Sequence, residues 1–107
     1  MNVLILGSGG REHAFAWKIS ESSLCKKLII APGNAGTEAI GTNFDISVTD
    51  FQKIKKLCLD EKIDMVVVGP EDPLVNGIYD FFHEDEKLQN ITVIGPSKKG
   101  SQLEGSK

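Results

Sequence analysis

A chain of 107 residues with 40% hydrophobic and 25% charged side chains suits one globular domain and is too short for two. Its net charge of −3, with no basic block, speaks against nucleic acid as a main partner, since a phosphate backbone is bound by clustered Lys and Arg. The longest apolar runs have four residues, against about 20 for a membrane span, and no basic stretch precedes a long apolar one, so neither a membrane helix nor a secretory signal is expected.

Val3-Leu4-Ile5-Leu6 is a continuous apolar run that stops at glycine and reads as a first strand. The loop Gly7-Ser8-Gly9-Gly10-Arg11-Glu12-His13 follows at once. From Glu12 to Ser22, the residues Phe15, Ala16, Trp17 and Ile19 form the buried stripe of a first helix. Leu28-Ile29-Ile30-Ala31 is a second strand, ending at Pro32-Gly33-Asn34. The stretch from Ala35 to Thr42 contains glycine and is too short to predict as a helix. Phe44-Asp45-Ile46 reads as a shorter third strand. Thr49 and Gln52 then fit a capping box, with Asp50 in the first turn of a helix whose apolar positions are Phe51, Ile54, Leu57 and Cys58. Met65-Val66-Val67-Val68 is a fourth strand, stopping at Gly69-Pro70. Leu74, Val75, Ile78, Phe81 and Phe82 recur at helical spacing, and Ile91-Thr92-Val93-Ile94 is a fifth strand ending at Gly95-Pro96. From Ser97 to Lys107 the chain reads as a connector or a helix start.

Unalternated apolar runs are strands buried on both faces, as in parallel sheets. Strands alternating with helices predict an α/β fold, a Rossmann-like open parallel sheet of about five strands in the order 3-2-1-4-5, with helices on both faces. The strand order reverses between strands one and four, and such sheets bind ligands in the crevice there, at the carboxyl ends of the strands. Cys25 and Cys58 sit on separate elements with no metal-ligand or redox spacing, and are expected to be reduced thiols of a cytoplasmic protein.

Three loops should meet at that edge. In the first, Gly7 and Gly9 let the backbone approach a ligand, the following helix offers free N–H groups, and Arg11 adds a charged grip, a combination suited to phosphate. The match to G-x-G-x-x-G is partial, because Glu12 stands at the third glycine. A dinucleotide site also wants an acid at the end of strand two, or a basic residue for NADP, and Ala31-Pro32-Gly33-Asn34 supplies neither. No P-loop motif is present. The second loop, Gly69-Pro70-Glu71-Asp72-Pro73-Leu74, should place Glu71 across the crevice, accepting hydrogen bonds from a ribose or an amine. Asp72, just before Pro73, reads instead as a helix cap. In the third loop, Asn34 either donates to a ligand or takes a left-handed turn. His13 reads as bonded to a nearby backbone group, Trp17 as core or interface, and His83, Lys98 and Lys99 as solvated. No catalytic Ser/His/Asp or Cys/His arrangement is present.

The segments GSGGREHAFAWK, APGNAG, VVVGPEDPLVNGI and IGPSKKGSQLEGSK, in this order, closely resemble the N-terminal domain of the phosphoribosylamine–glycine ligase (glycinamide ribonucleotide synthetase) family. The resemblance runs from Asn2 to Lys107, and that family's motif has GREHA, so Glu12 departs only from the dinucleotide pattern. It implies a purine-biosynthesis enzyme of the ATP-grasp superfamily that joins glycine to 5-phosphoribosylamine, converting ATP to ADP and phosphate through a glycyl acyl phosphate. It further implies a pre-ATP-grasp N-terminal domain over residues 1–96 and a connector over 97–107. ATP and Mg (or Mn) would belong to the full-length enzyme, with no catalytic or metal-binding residue and no bound cofactor in this chain. By the same resemblance Gly9, Gly10 and Arg11 hold the ribosylamine phosphate, Glu71 faces the ribose or its amine, and Lys107 reaches toward ATP phosphates. The implied partners are the small molecules 5-phosphoribosylamine, glycine and ATP. Two other readings stay open: the nicotinamide-binding domain of a dehydrogenase, and a non-catalytic effector-binding module.

Overall fold

The computed structural model describes residues 1–69 and 77–94, and for Arg11 the backbone alone. The elements in order are β1 (Asn2–Gly7), α1 (Gly10–Ser20), β2 (Lys27–Pro32), α2 (Ala35–Glu38), β3 (Thr42–Asn43), α3 (Phe51–Asp60), β4 (Met65–Val68), α4 (Ile78–Glu84) and β5 (Thr92–Ile94). The strands form one parallel sheet ordered β3-β2-β1-β4-β5, as the pattern predicts. β1 is central, pairing Asn2–Gly7 with Lys27–Pro32 on one side and Val3–Leu6 with Met65–Val68 on the other.

Because side chains alternate along a strand, each strand feeds two cores. Leu4, Leu6, Ile29, Ala31, Val66 and Val68 pack with Ile54, Leu57 and Cys58 of α3 and Ile78 and Phe82 of α4. Val3, Ile5, Leu28, Ile30 and Val67 pack against Ala16, Phe15 and Ile19 of α1. Burying each large aliphatic side chain is worth about 1.5–3 kcal/mol, which holds helices on both faces. Phe51 of α3 meets Phe81 of α4 at 5.3 Å between ring centroids. Burial pushes the Cys58 thiol up to about 12, so it stays protonated at neutral pH. Both cysteines are free.

Several local expectations shift. The third strand is Thr42–Asn43, not Phe44–Ile46: the Phe44 N–H closes the pairing on Ile30 O (2.8 Å), after which Ile46 N–H turns back to Phe44 O. Phe44, Ile46 and Val48 are spent on the core instead. The first helix starts at Gly10 and ends at Ser20, two residues early at each end. The cap of α3 is Asp50, accepting from Lys53 N–H, while Thr49 bonds Ser47 in the preceding turn. The Ala35–Thr42 stretch does hold a helical turn, α2, because Asn34 caps it. Trp17 is 59% exposed and so is not a core residue. α4 is described from Ile78, after Gly77 at φ 87°. Glu71, Asp72, Pro73, Leu74 and Val75, and the tail with Lys98, Lys99, Lys107 and the expected connector over 97–107, lie outside the described residues.

Candidate functional site

At the carboxyl ends of β1 and β2 lies a cleft of about 440 Å³ lined by Gly7, Ser8, Gly9, Glu12, Pro32, Asp45, Ser47 and Val48, within the ~300–1,000 Å³ typical of small-molecule sites. A smaller cavity of about 240 Å³, under α4 and β5 around Tyr79, Phe82 and His83, contains none of these loop ends. The cleft sits where open α/β sheets bind ligands.

Its first wall is built by β1 and α1. Gly7 closes β1 at φ 136°, a conformation only glycine takes without strain. Gly9 is the N-cap of α1 and, lacking a side chain, leaves the first N–H groups of the helix without a side-chain cap. Gly10 and Arg11 are the first two helical residues. Unsatisfied N–H groups and the positive end of the helix dipole favour an anion there. Gly9, Gly10 and the Arg11 backbone thus come together at one helix terminus.

Asn34 stands at φ −148°, extended rather than left-handed; Gly33 before it takes the positive φ, at 76°. The Asn34 carboxamide oxygen accepts the Thr37 N–H (3.0 Å), and its NH2 group donates to Ser8 O (2.7 Å) and Gly9 O (3.4 Å). Both of its donor hydrogens therefore face the glycine loop. The Thr37 hydroxyl accepts the Asn34 N–H (2.8 Å) and lies 2.8 Å from the Asn43 carboxamide oxygen, while the Asn43 NH2 donates to Asn34 O (2.8 Å). Gly33 N–H donates to Gly7 O (3.0 Å), joining the two loops directly.

Three lining residues escape a reading by motif. Glu12, 7% exposed, folds its carboxylate back over the strand ends. A Cβ at Gly7 would stand 2.1 Å from its Oε1, and one at Gly69 2.5 Å from its Cδ. Its signal in the sequence is a charged residue at the third glycine of the loop pattern. Asp45 and Ser47 enter from the segment after β3, and Asp45 lies within Phe44-Asp45-Ile46, which reads as a strand in sequence. His13 turns its exposed ring onto Gly36 of α2, where an added Cβ would stand 2.9 Å from its Cε1. His83 is exposed. Among the described residues, no three His, Cys, Asp or Glu side chains gather as metal ligands, and no helix is long and apolar enough to cross a membrane.

Comparison with known proteins agrees with this architecture. The family model described as phosphoribosylglycinamide synthetase, N domain, matches residues 1–104. The chain is similar to the phosphoribosylamine–glycine ligases of Mesorhizobium japonicum (54% identical over 107 residues), Haemophilus influenzae (49% over 109) and Escherichia coli K12 (46% over 109). Each match covers 100% of this chain and 24% of the relative, so the chain spans about a quarter of their length. The crystal structure of phosphoribosylamine–glycine ligase from Thermotoga maritima is similar over 68% of this chain and 16% of that one, at 33% identity and a TM-score of 0.52. The chain belongs to the phosphoribosylglycinamide synthetase N-domain family.

Proposed function

We propose that this chain is the phosphoribosylamine-binding domain of an ATP-dependent carbon–nitrogen ligase, acting in the cytoplasm, that joins glycine to 5-phosphoribosylamine in purine biosynthesis. The observation that carries the reading is the α1 N-terminus without a side-chain cap, opening on a cleft walled by hydroxyls and carboxylates. A phosphate monoester suits the N–H groups of Gly10 and Arg11, with the Arg11 guanidinium adding a charge-assisted grip. A sugar suits the acceptors around it, and Glu71 is assigned to the ribose or its amine. Asn34 supports the site from behind, by bracing the Ser8 and Gly9 carbonyls.

In the proposed reaction the glycine carboxylate attacks the γ-phosphorus of ATP, and ADP leaves. The ribosylamine nitrogen then attacks the acyl carbon, phosphate leaves, and the nitrogen gives up a proton. ATP and Mg (or Mn) are assigned to the rest of the whole enzyme, with Lys107 at its ATP-facing edge. The nicotinamide reading is not favoured: β2 ends at Pro32 without an acid, and a carboxylate stands where the third glycine of that motif would be.

The test is Arg11→Ala in the whole ligase. We expect KM for phosphoribosylamine to rise about tenfold or more, the loss of one charge-assisted contact, with KM for ATP little changed. An unaltered ribosylamine dependence removes Arg11 from the site. The chain alone should release no ADP when given glycine, ribosylamine and ATP, and it should not bind NADH saturably; either signal would overturn the reading.

A further inference from the structure

Glu12 is the residue that breaks the glycine pattern. As a residue it is 7% exposed, and it lines the cleft. Glycines at two strand ends make its berth: the three atoms nearest to a Cβ at Gly7, and the three nearest to one at Gly69, all belong to Glu12. A Cβ at Gly9 would stand 3.5 Å from its Oε2. The berth therefore straddles the ends of β1 and β4, where the strand order reverses.

A buried carboxylate is costly unless donors meet it. The first turn of α1 offsets part of that cost through its dipole. Yet among the described residues Glu12 has no hydrogen-bond or ion-pair partner for its carboxylate. The other lining residues, Ser8, Pro32, Asp45, Ser47 and Val48, include no cation. A ligand in the cleft that brings hydrogen-bond donors would satisfy this group. The same charge repels phosphate from the cleft floor and leaves the N-terminus of α1 as the phosphate pole. A ligand with a phosphate at one end and vicinal hydroxyls at the other matches both poles.

We propose that Glu12 is a substrate-recognition residue whose carboxylate accepts hydrogen bonds from the ribose hydroxyls of the phosphoribosyl substrate. This rests on the reading of the cleft as a phosphoribosylamine site. It assigns Glu12 a ligand contact beyond its packing against Gly7 and Gly69.

The experiment uses the whole ligase with Glu12→Gln, which keeps the size of the side chain and removes its charge. KM for phosphoribosylamine should rise about tenfold, with kcat within about twofold and KM for ATP and glycine unchanged, because the contact is made equally in ground and transition states. Ribose 5-phosphate and 2-deoxyribose 5-phosphate serve as competitive probes. The wild type should prefer the ribose form, and Glu12→Gln should narrow that preference. Glu12→Asp, which keeps the charge on a shorter stem, should raise KM less than Glu12→Gln. It carries the test by itself, through retained ribose preference, if the Gln variant fails to fold.

Unchanged KM and unchanged ribose preference in Glu12→Gln overturn the inference and leave the phosphoribosylamine reading standing. A larger loss in Glu12→Asp than in Glu12→Gln also overturns it, since packing and not charge would then govern. A wild-type ligase that neither turns over phosphoribosylamine nor is inhibited by ribose 5-phosphate overturns both readings together.

Discussion

β1 and β2 lie side by side in parallel, and each hands over to a helix through a glycine at positive φ, Gly7 at 136° and Gly33 at 76°. Beyond those glycines the two loops differ. After β2, Asn34 caps α2 and a ring of bonds among Asn34, Thr37 and Asn43 uses up the polar groups within the chain. After β1, the cap position is Gly9, and the helix N-terminus has no side-chain cap. The loop after β2 is scaffold and the loop after β1 faces the cleft, although both follow the same strand–glycine–helix plan. What distinguishes them is where the hydrogen-bonding capacity goes, and a loop that satisfies itself has little left for a ligand.

The strongest way to break this comparison is to fill the glycines. Gly7→Ala and Gly33→Ala each combine backbone strain with a Cβ set 2.1 Å from Glu12 Oε1 or 2.3 Å from Asn43 Oδ1. Each should lose about 3 kcal/mol or more in urea unfolding. Next comes Gly69→Ala, whose collision is with Glu12 alone among the atoms nearest to it. It should cost about 1–3 kcal/mol as an overpacked site, and Glu12→Ala in the same chain should recover most of that. Additive losses in the double variant would show that Glu12 does not fill the berth.

Asn34→Ala sharpens the contrast from the scaffold side. It removes the α2 cap and the brace on Ser8 O, and should cost about 1–2 kcal/mol. Hydrogen exchange should quicken at Thr37, the N–H that Asn34 caps. The smallest expected effect has the opposite sign. Lys62 also takes a positive φ, 53°, where α3 ends with Ile63 N–H on Cys58 O (2.9 Å). This is a Schellman-type stop, which favours glycine. Lys62→Gly should gain about 0.5–1 kcal/mol in thermal unfolding. Unlike Gly7 and Gly33, this position is set by backbone conformation alone.

Pattern served well where burial is two-sided. Val3–Leu6, Leu28–Ala31 and Met65–Val68 are legible as strands because both of their faces are covered, which leaves no polar alternation to confuse them. Phe44-Asp45-Ile46 misleads because its apolar residues belong to the core without belonging to the sheet; periodicity reports burial, not pairing. Reading that stretch as a strand hides Asp45 from the site. Asn34 was legible as a special residue, but whether its amide meets a ligand or a carbonyl depends on the Ser8 carbonyl, 26 positions away in sequence.

The sequence by itself determined the α/β class, the strand order, the glycine loop and the family, because local runs, spacings and motifs carry that information along the chain. Only the tertiary structure decided which polar groups are spent and which are open. Glu12 is an ordinary first-turn acid until Gly7 and Gly69 are brought beneath it. Asn34 is an ordinary turn residue until the glycine loop lies within its reach. Hydrogen bonding and burial are set by neighbours distant in sequence, so the open and the closed loop differ only once the chain is folded.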